Sequence, residues 1–142
     1  MKRKINNNRL TNEARACIGV SVYKLKADPT QAPGVVDCSS FVQWLLSLEG
    51  IALPRLAFEQ LHFCNQIVFD PLEARAGDLI FRTGHQPQYL DDPTLAVGHV
   101  GFVTGDLTVI HAPSKEKGVV EDPDVLTFFS YKSAGVCLGR LG

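Results

Sequence analysis

The stretch Asp37-Cys38-Ser39-Ser40-Phe41-Val42-Gln43-Trp44-Leu45-Leu46 has the strongest helical pattern in the chain. From Cys38, its apolar residues recur every three or four positions, which is the spacing of one helix face packed on a core. Asp37 is placed to cap this helix and Gly50 to end it. The pattern therefore predicts a core helix with Cys38 in its first turn.

That position favours chemistry at Cys38. Unpaired N–H groups and the positive end of the helix dipole lie at the start of a helix, and both favour a thiolate nucleophile. The same N–H groups can bind an oxyanion that forms beside the sulfur. The alternative is that Cys38 is a small buried hydrophobic residue, as most free cysteines are.

A nucleophilic thiol needs a base, and histidine is the most common one. Of the four histidines, His62 and His85 have no partner at a telling spacing and are interpreted as surface or structural residues. His99 and His111 lie on two short apolar strands joined by a turn. If the loop is 104–106, the two rings face each other, because side chains alternate along a strand.

Three interpretations of this pair remain open from the residues alone. One histidine could be the base and the other its orienting partner. The two could instead be buried and hydrogen-bonded for structural reasons. A zinc site made by Cys38, His99 and His111 is the third, although no fourth ligand at a usual spacing is visible.

The rest of the chain predicts an α+β domain with helices first and antiparallel strands second. Residues 1–10 are predicted to be a polar tail, and residues 11–142 a single domain. Helices are expected from Thr11 or Asn12 to about Ile18 and from about Leu56 to Cys64. Strands are expected at 78–81, 99–103, 107–111, 125–129 and 136–138. The long connection 82–98, which contains Pro87 and Pro93, is a candidate functional loop.

Composition and charge exclude several classes of function. The 142 residues carry a net charge of −1, so there is no general attraction to nucleic acid or to an anionic membrane. Four widely spaced cysteines argue against a disulfide framework and against a zinc finger. The basic start lacks the apolar run of a signal peptide, which predicts a cytoplasmic protein or export by another route, such as a secretion system or a phage.

Several motifs, in order, resemble the NlpC-type cell-wall peptidases, which are papain-like cysteine endopeptidases. The matching stretches are 37–43 (DCSSFVQ), 50–55 (GIALPR) with Gln60, 77–81 (GDLIF), 99–101 (HVG) and 110–112 (IHA). Their order and spacing agree with the family pattern over about residues 14 to 112. Two features depart from the family pattern: Ser40 replaces a glycine, and Lys24-Leu25-Lys26 follows Tyr23 where glycines are usual.

The resemblance implies a papain-like fold and a role for each matching residue. Cys38 would be the nucleophile, His99 the base and His111 the residue that orients the base. Tyr23, Asp37 and Ser39 would border the substrate cleft. The implied reaction is hydrolysis of an amide bond in peptidoglycan stem peptides, usually between γ-D-glutamate and a diamino acid, with no metal or organic cofactor. The rivals are another amidase or an acyltransferase on the same fold, and a non-catalytic binding domain.

Overall fold

The chain packs helices against an antiparallel sheet, as the residue pattern predicts. A computed structural model describes residues 4–83, 97–129 and 136–141. The helices are α1 (Asn7–Ala16), α2 (Cys38–Ser47), α3 (Ala57–Phe63) and α4 (Val125–Phe129), with 3-10 turns at Pro29–Gln31 and Pro71–Glu73. The strands are β1 (Val22–Tyr23), β2 (Val35–Val36), β3 (Gln66–Val68), β4 (Leu79–Thr83), β5 (Val97–Val103), β6 (Val109–Ser114), β7 (Gly118–Asp122) and β8 (Val136–Arg140).

In the described part of the chain, six strands form one sheet in the order β3-β8-β4-β5-β6-β7, with every neighbouring pair antiparallel. β1 and β2 make a separate short parallel pair. Apolar side chains cover both faces of the large sheet. Phe81, Phe102 and Ile110 belong to the core shared with α1, α2 and α3, whereas Ile80 and Val109 pack with Phe128 of α4. The β5–β6 hairpin is therefore central in the sheet and apolar on both faces.

A reciprocal cap fixes the start of α2. The Asp37 carboxylate accepts a hydrogen bond from the Ser40 N–H at 2.8 Å, and the Ser40 hydroxyl accepts one from the Asp37 N–H at 2.9 Å. This is a capping box, which satisfies two of the donors that a helix start leaves open. Ser40 is 1% exposed, so its replacement of the family's glycine serves the helix rather than the cleft rim.

The first helix begins earlier than the sequence predicted. Asn6 caps α1 by accepting a hydrogen bond from the Arg9 N–H at 3.0 Å, so the helix starts at Asn7 rather than at Thr11 or Asn12. Leu10, which was predicted to lie in the tail, is fully buried. The asparagine run is therefore a helix start, because asparagine is a strong N-cap residue.

The strand predicted at 125–129 is wrong, since these residues form α4. The Asp124 carboxylate accepts hydrogen bonds from the Thr127 N–H at 2.7 Å and from its hydroxyl at 3.0 Å, which starts a helical turn. Val125 and Phe128 are buried, and their separation of three residues suits a helix rather than a strand. Strands β3 and β7, in contrast, were missed by the sequence prediction.

The turn between β5 and β6 is longer than predicted. Phe102 pairs with Ile110 and Val103 with Val109, so the loop covers residues 104–108. The prediction that His99 and His111 are directly opposite each other on the two strands is therefore wrong. The register differs from the predicted one by two residues, which leaves both histidines on the same face of the sheet.

The predicted connection at 82–98 lies mostly outside the described residues, and so do His85, Pro87 and Pro93. None of the described helices is long and apolar enough to cross a membrane.

Candidate active site

The Cys38 thiol lies between the start of α2 and strand β5. The backbone N–H groups of Val100 and Ser39 are close enough to the sulfur to favour its charged form. The pairing of β5 with β6 runs only through Phe102 and Val103, so Val100 lies beyond the paired segment. The N–H of Val100 is therefore outside the β5–β6 ladder. Sequence spacing alone placed Cys38 on the helix correctly, and the strand packing adds the second side of the site.

The charge state of Cys38 differs from the one predicted from its place on the helix. Burial and the neighbouring Asp37 carboxylate raise the pKa of the Cys38 thiol to about 11, although the two N–H groups and Arg55 act in the opposite direction. Burial therefore opposes the thiolate that the helix start was predicted to favour. Desolvation outweighs the helix start, because an enclosed sulfur loses the water that would stabilise its charge.

His99 and His111 are joined directly by their rings. His99 Nε2 lies 2.8 Å from His111 Nδ1, with the rings nearly perpendicular at 72° and their centroids 5.0 Å apart. His99 is 8% exposed and His111 is fully buried. Burial, His111 and the Arg82 cation lower the pKa of His99 well below 6.5, so its ring is neutral at physiological pH. Within the described residues, no direct hydrogen bond joins the Cys38 thiol to His99.

A carboxylate that the sequence analysis missed completes this chain of hydrogen bonds. Asp122 Oδ2, at the end of β7, lies 3.0 Å from His111 Nε2. Asp122 pairs across the sheet with Val109, and Val109 shares a face with His111 two residues away. Asp122 lies in a strand that the sequence prediction did not include.

Phe128 covers the two histidines from the α4 side. Its ring stacks on His99 at 5.7 Å with an angle of 19°, and meets His111 edge-on at 5.1 Å. The Arg82 guanidinium lies 4.8 Å from the centroid of the Phe128 ring, as a cation–π pair. The aromatic ring therefore excludes water from the imidazoles, and Arg82 explains part of the lowered pKa of His99.

Asp37 and Ser39, which were predicted to border the cleft, are bound within the protein. Arg55 reaches the Asp37 carboxylate at 2.7 and 3.1 Å, and donates to the Ser39 hydroxyl at 2.8 Å. It also donates to the Ala27 carbonyl at 2.8 Å, which ties down the loop that follows Tyr23. Asp37 is 6% and Ser39 5% exposed. Their main contacts therefore position the first turn of α2.

Tyr23 and Gln60 both lie near the first turn of α2. Tyr23 pairs with Val36, and burial together with the charges of Cys38 and Asp37 raises the pKa of its phenol, so it remains an O–H donor. The Gln60 amide is fully buried and donates to the Ser39 and Pro54 carbonyls, each at 2.9 Å. Gln60 therefore holds the turn that contains the cysteine.

The structure gives no support for the zinc alternative among the residues that it describes. Among the described residues, no three histidine, cysteine, aspartate or glutamate side chains are grouped so as to hold a metal ion.

Two curated relatives match part of this chain. It is 40% identical over 70 residues to the bifunctional muramidase/DL-endopeptidase CwlT of Bacillus subtilis, a match that covers 49% of this chain and 19% of that protein. It is 32% identical over 83 residues to the gamma-D-glutamyl-L-lysine dipeptidyl-peptidase of Bacillus cereus, covering 58% and 22%. The matched segments thus span about a fifth of the length of these relatives.

A solved structure extends the likeness to the whole fold. NlpC2 from Trichomonas vaginalis superposes with a TM-score of 0.72 at 26% identity, covering 99% of this chain and 48% of that one. The family model described as the NlpC/P60 family matches residues 21–132, a range that contains the cysteine, both histidines and Asp122. Because this match covers most of the chain and agrees with the papain-like α+β fold, the chain belongs to the NlpC/P60 family.

Proposed function

We propose that this chain is a cysteine peptidase that hydrolyses an amide bond in peptidoglycan stem peptides. The observation that carries the proposal is the position of Cys38 at the start of α2, beside strand β5, whose His99 is hydrogen-bonded to His111 of β6. Membership of the NlpC/P60 family supports the substrate class. A merely structural histidine pair would not need a thiol at a helix start next to it.

Acylation would start from a neutral pair. His99 takes the proton from the Cys38 thiol as the sulfur attacks the carbonyl carbon, since the pKa of the thiol is too high for a standing thiolate. The carbonyl oxygen becomes an oxyanion, which the Cys38 backbone N–H at the start of the helix stabilises. The His99 imidazolium then gives its proton to the departing amine, and a thioester remains on Cys38.

Deacylation returns the site to its starting state. Water attacks the thioester carbon while His99 takes one of its protons, and the C–S bond breaks. The proton then passes from His99 to the sulfur. The products are a carboxylate and an amine, and no metal or organic cofactor takes part. Tyr23, Asp37 and Ser39 would line or brace the cleft in which the stem peptide lies.

The bond that we propose joins γ-D-glutamate to a diamino acid. It is supported by the relatives named as a DL-endopeptidase and as a gamma-D-glutamyl-L-lysine dipeptidyl-peptidase. Mass spectrometry of purified muropeptides after digestion is expected to show cleavage at this bond. A synthetic stem peptide linked through the α-carboxyl of the same D-glutamate is the matched control and is expected to remain intact. If both substrates stay uncleaved by a folded protein whose Cys38 can still be alkylated, acyl transfer replaces hydrolysis as the leading reaction.

The pH dependence of the reaction follows from the lowered pKa of His99 and the raised pKa of Cys38. Activity requires a neutral His99 and a protonated Cys38, and these coexist between the lowered pKa of the imidazole and the value of about 11 for the thiol. We expect kcat/KM to be level across neutral pH and to fall on the acid side with a midpoint below 6.5. It should fall again near pH 11, where Cys38 loses its proton.

Alkylation of the thiol by iodoacetamide tests the same assignment without a substrate. The rate at Cys38 should increase with pH up to about 11, because only the thiolate reacts. Rapid alkylation at pH 5 would instead reveal a thiolate–imidazolium pair and would contradict the neutral starting state.

A further inference from the structure

We propose that Asp122 is a positioning residue that fixes the tautomers of both histidines and so makes His99 a base. The inference rests on the proposed function, since it explains how the proposed base is prepared. It depends on a continuous series of contacts: Asp122 Oδ2 lies 3.0 Å from His111 Nε2, and His111 Nδ1 lies 2.8 Å from His99 Nε2.

The direction of these hydrogen bonds follows from the carboxylate. An ionised carboxylate has no proton to donate, so His111 must carry its proton on Nε2. A neutral imidazole has one N–H, which leaves His111 Nδ1 as an acceptor. The contact at 2.8 Å then requires His99 to carry its proton on Nε2. His99 Nδ1 is left with a free lone pair, and this is the nitrogen that can take the Cys38 proton.

Burial favours this arrangement. Asp122 is 7% exposed and His111 is fully buried, while Phe128 covers both imidazole rings. Water therefore has little access to offer either ring another donor or acceptor. In a poorly solvated site a reversed hydrogen bond would leave polar atoms unpaired, which is costly. One carboxylate thus controls the protonation of a ring two hydrogen bonds away.

The same carboxylate stabilises the charge that forms during the reaction. When His99 Nδ1 receives the thiol proton, the ring becomes an imidazolium with N–H groups on both nitrogens. Its Nε2–H still donates to His111, whose Nε2–H still donates to Asp122, so no proton has to move along the chain. The positive charge of Arg82 opposes the imidazolium, and the negative charge of Asp122 offsets it.

Asp122→Asn tests the inference because it keeps the shape of the side chain and removes the charge. The asparagine amide can donate to His111 Nε2, which reverses both tautomers and places the His99 proton on Nδ1. We expect kcat on the cleaved muropeptide to fall by about 10²- to 10⁴-fold with KM nearly unchanged, as for the loss of an orienting carboxylate in other triads.

Glu121→Gln is the matched control. It makes the same change of charge on the neighbouring residue of β7, but the Glu121 carboxylate binds Arg15 and Thr108 rather than a histidine. This variant is expected to keep kcat within about threefold of the wild type, since it only weakens a partly exposed ion pair. Equal losses in the two variants would overturn a specific role for Asp122.

Nitrogen-15 NMR of the histidine rings provides a readout that needs no substrate. In the wild type, we expect the protonated-nitrogen signal at Nε2 and the unprotonated one at Nδ1 for both His99 and His111. In Asp122→Asn the two assignments should exchange. A wild-type protein with Nδ1–H on His99 would overturn the inference even if it cleaves muropeptides. The expected tautomers in a protein that cleaves no muropeptide would support the inference while contradicting the proposed function.

Discussion

Cys38→Ala is expected to lower the rate of muropeptide cleavage by about 10⁴- to 10⁶-fold, the usual range when a nucleophile and its base act as a unit. Without the sulfur no thioester can form, and His99 has no proton to remove. The fold should be little affected, because only one partly buried atom at the start of α2 is lost. The measurement is the digestion rate followed by mass spectrometry, with circular dichroism to confirm that the variant is folded.

Cys17→Ala is the control for that experiment. Cys17 is buried, and its thiol donates to the Glu13 carbonyl in α1 rather than lying at the start of α2. Its removal should leave kcat unchanged within about twofold, even if it costs up to about 1 kcal/mol of stability. Retention of more than a few per cent of the wild-type rate by Cys38→Ala would remove Cys38 from the proposed mechanism.

The parts of the fold that were predictable are those in which a local pattern has one meaning. The spacing of apolar residues after Cys38 fits only a helix, and Asp37 marks its start. The shared face of His99 and His111 was also predictable. A loop length that is wrong by two residues still places both side chains on the same face of the β5–β6 hairpin. Helix and hairpin therefore supplied both halves of the candidate site.

Features that depend on distant contacts were not predictable. Asp122 is the last residue of the short strand β7, and nothing in the sequence around it indicates that a buried imidazole would meet it. Phe128 lies in a run of apolar residues that suits a strand by composition, and only the cap at Asp124 makes it a helix. The charge state of Cys38 was missed for a similar reason, since desolvation depends on how closely β5 packs against α2.

Arg55→Met is expected to cost about 2–4 kcal/mol of unfolding free energy, the largest stability effect that we predict. The substitution keeps most of the apolar stem but leaves the Asp37 carboxylate buried without its cation, and breaking a buried pair typically costs about 3–5 kcal/mol. We expect a smaller loss of unfolding free energy than this because the Arg55 side chain is 25% exposed. In a chain of this size, the midpoint of thermal unfolding should fall by roughly 5–15 °C. Asp106→Asn, which breaks an exposed ion pair with Arg15, should change it by no more than about 2 °C.

The double variant Asp37→Asn/Arg55→Met separates the unpaired charge from the lost packing. Asparagine is a good N-cap residue, so it can still accept the Ser40 N–H at the start of α2 while it removes the stranded charge. We therefore expect the double variant to recover about half of the stability lost by Arg55→Met, as measured by urea unfolding. If it is as unstable as Arg55→Met, the cost comes from the lost contacts with Ser39 and the Ala27 carbonyl instead. Arg55 would then act mainly as a tie between the loop after Tyr23 and the helix that carries Cys38.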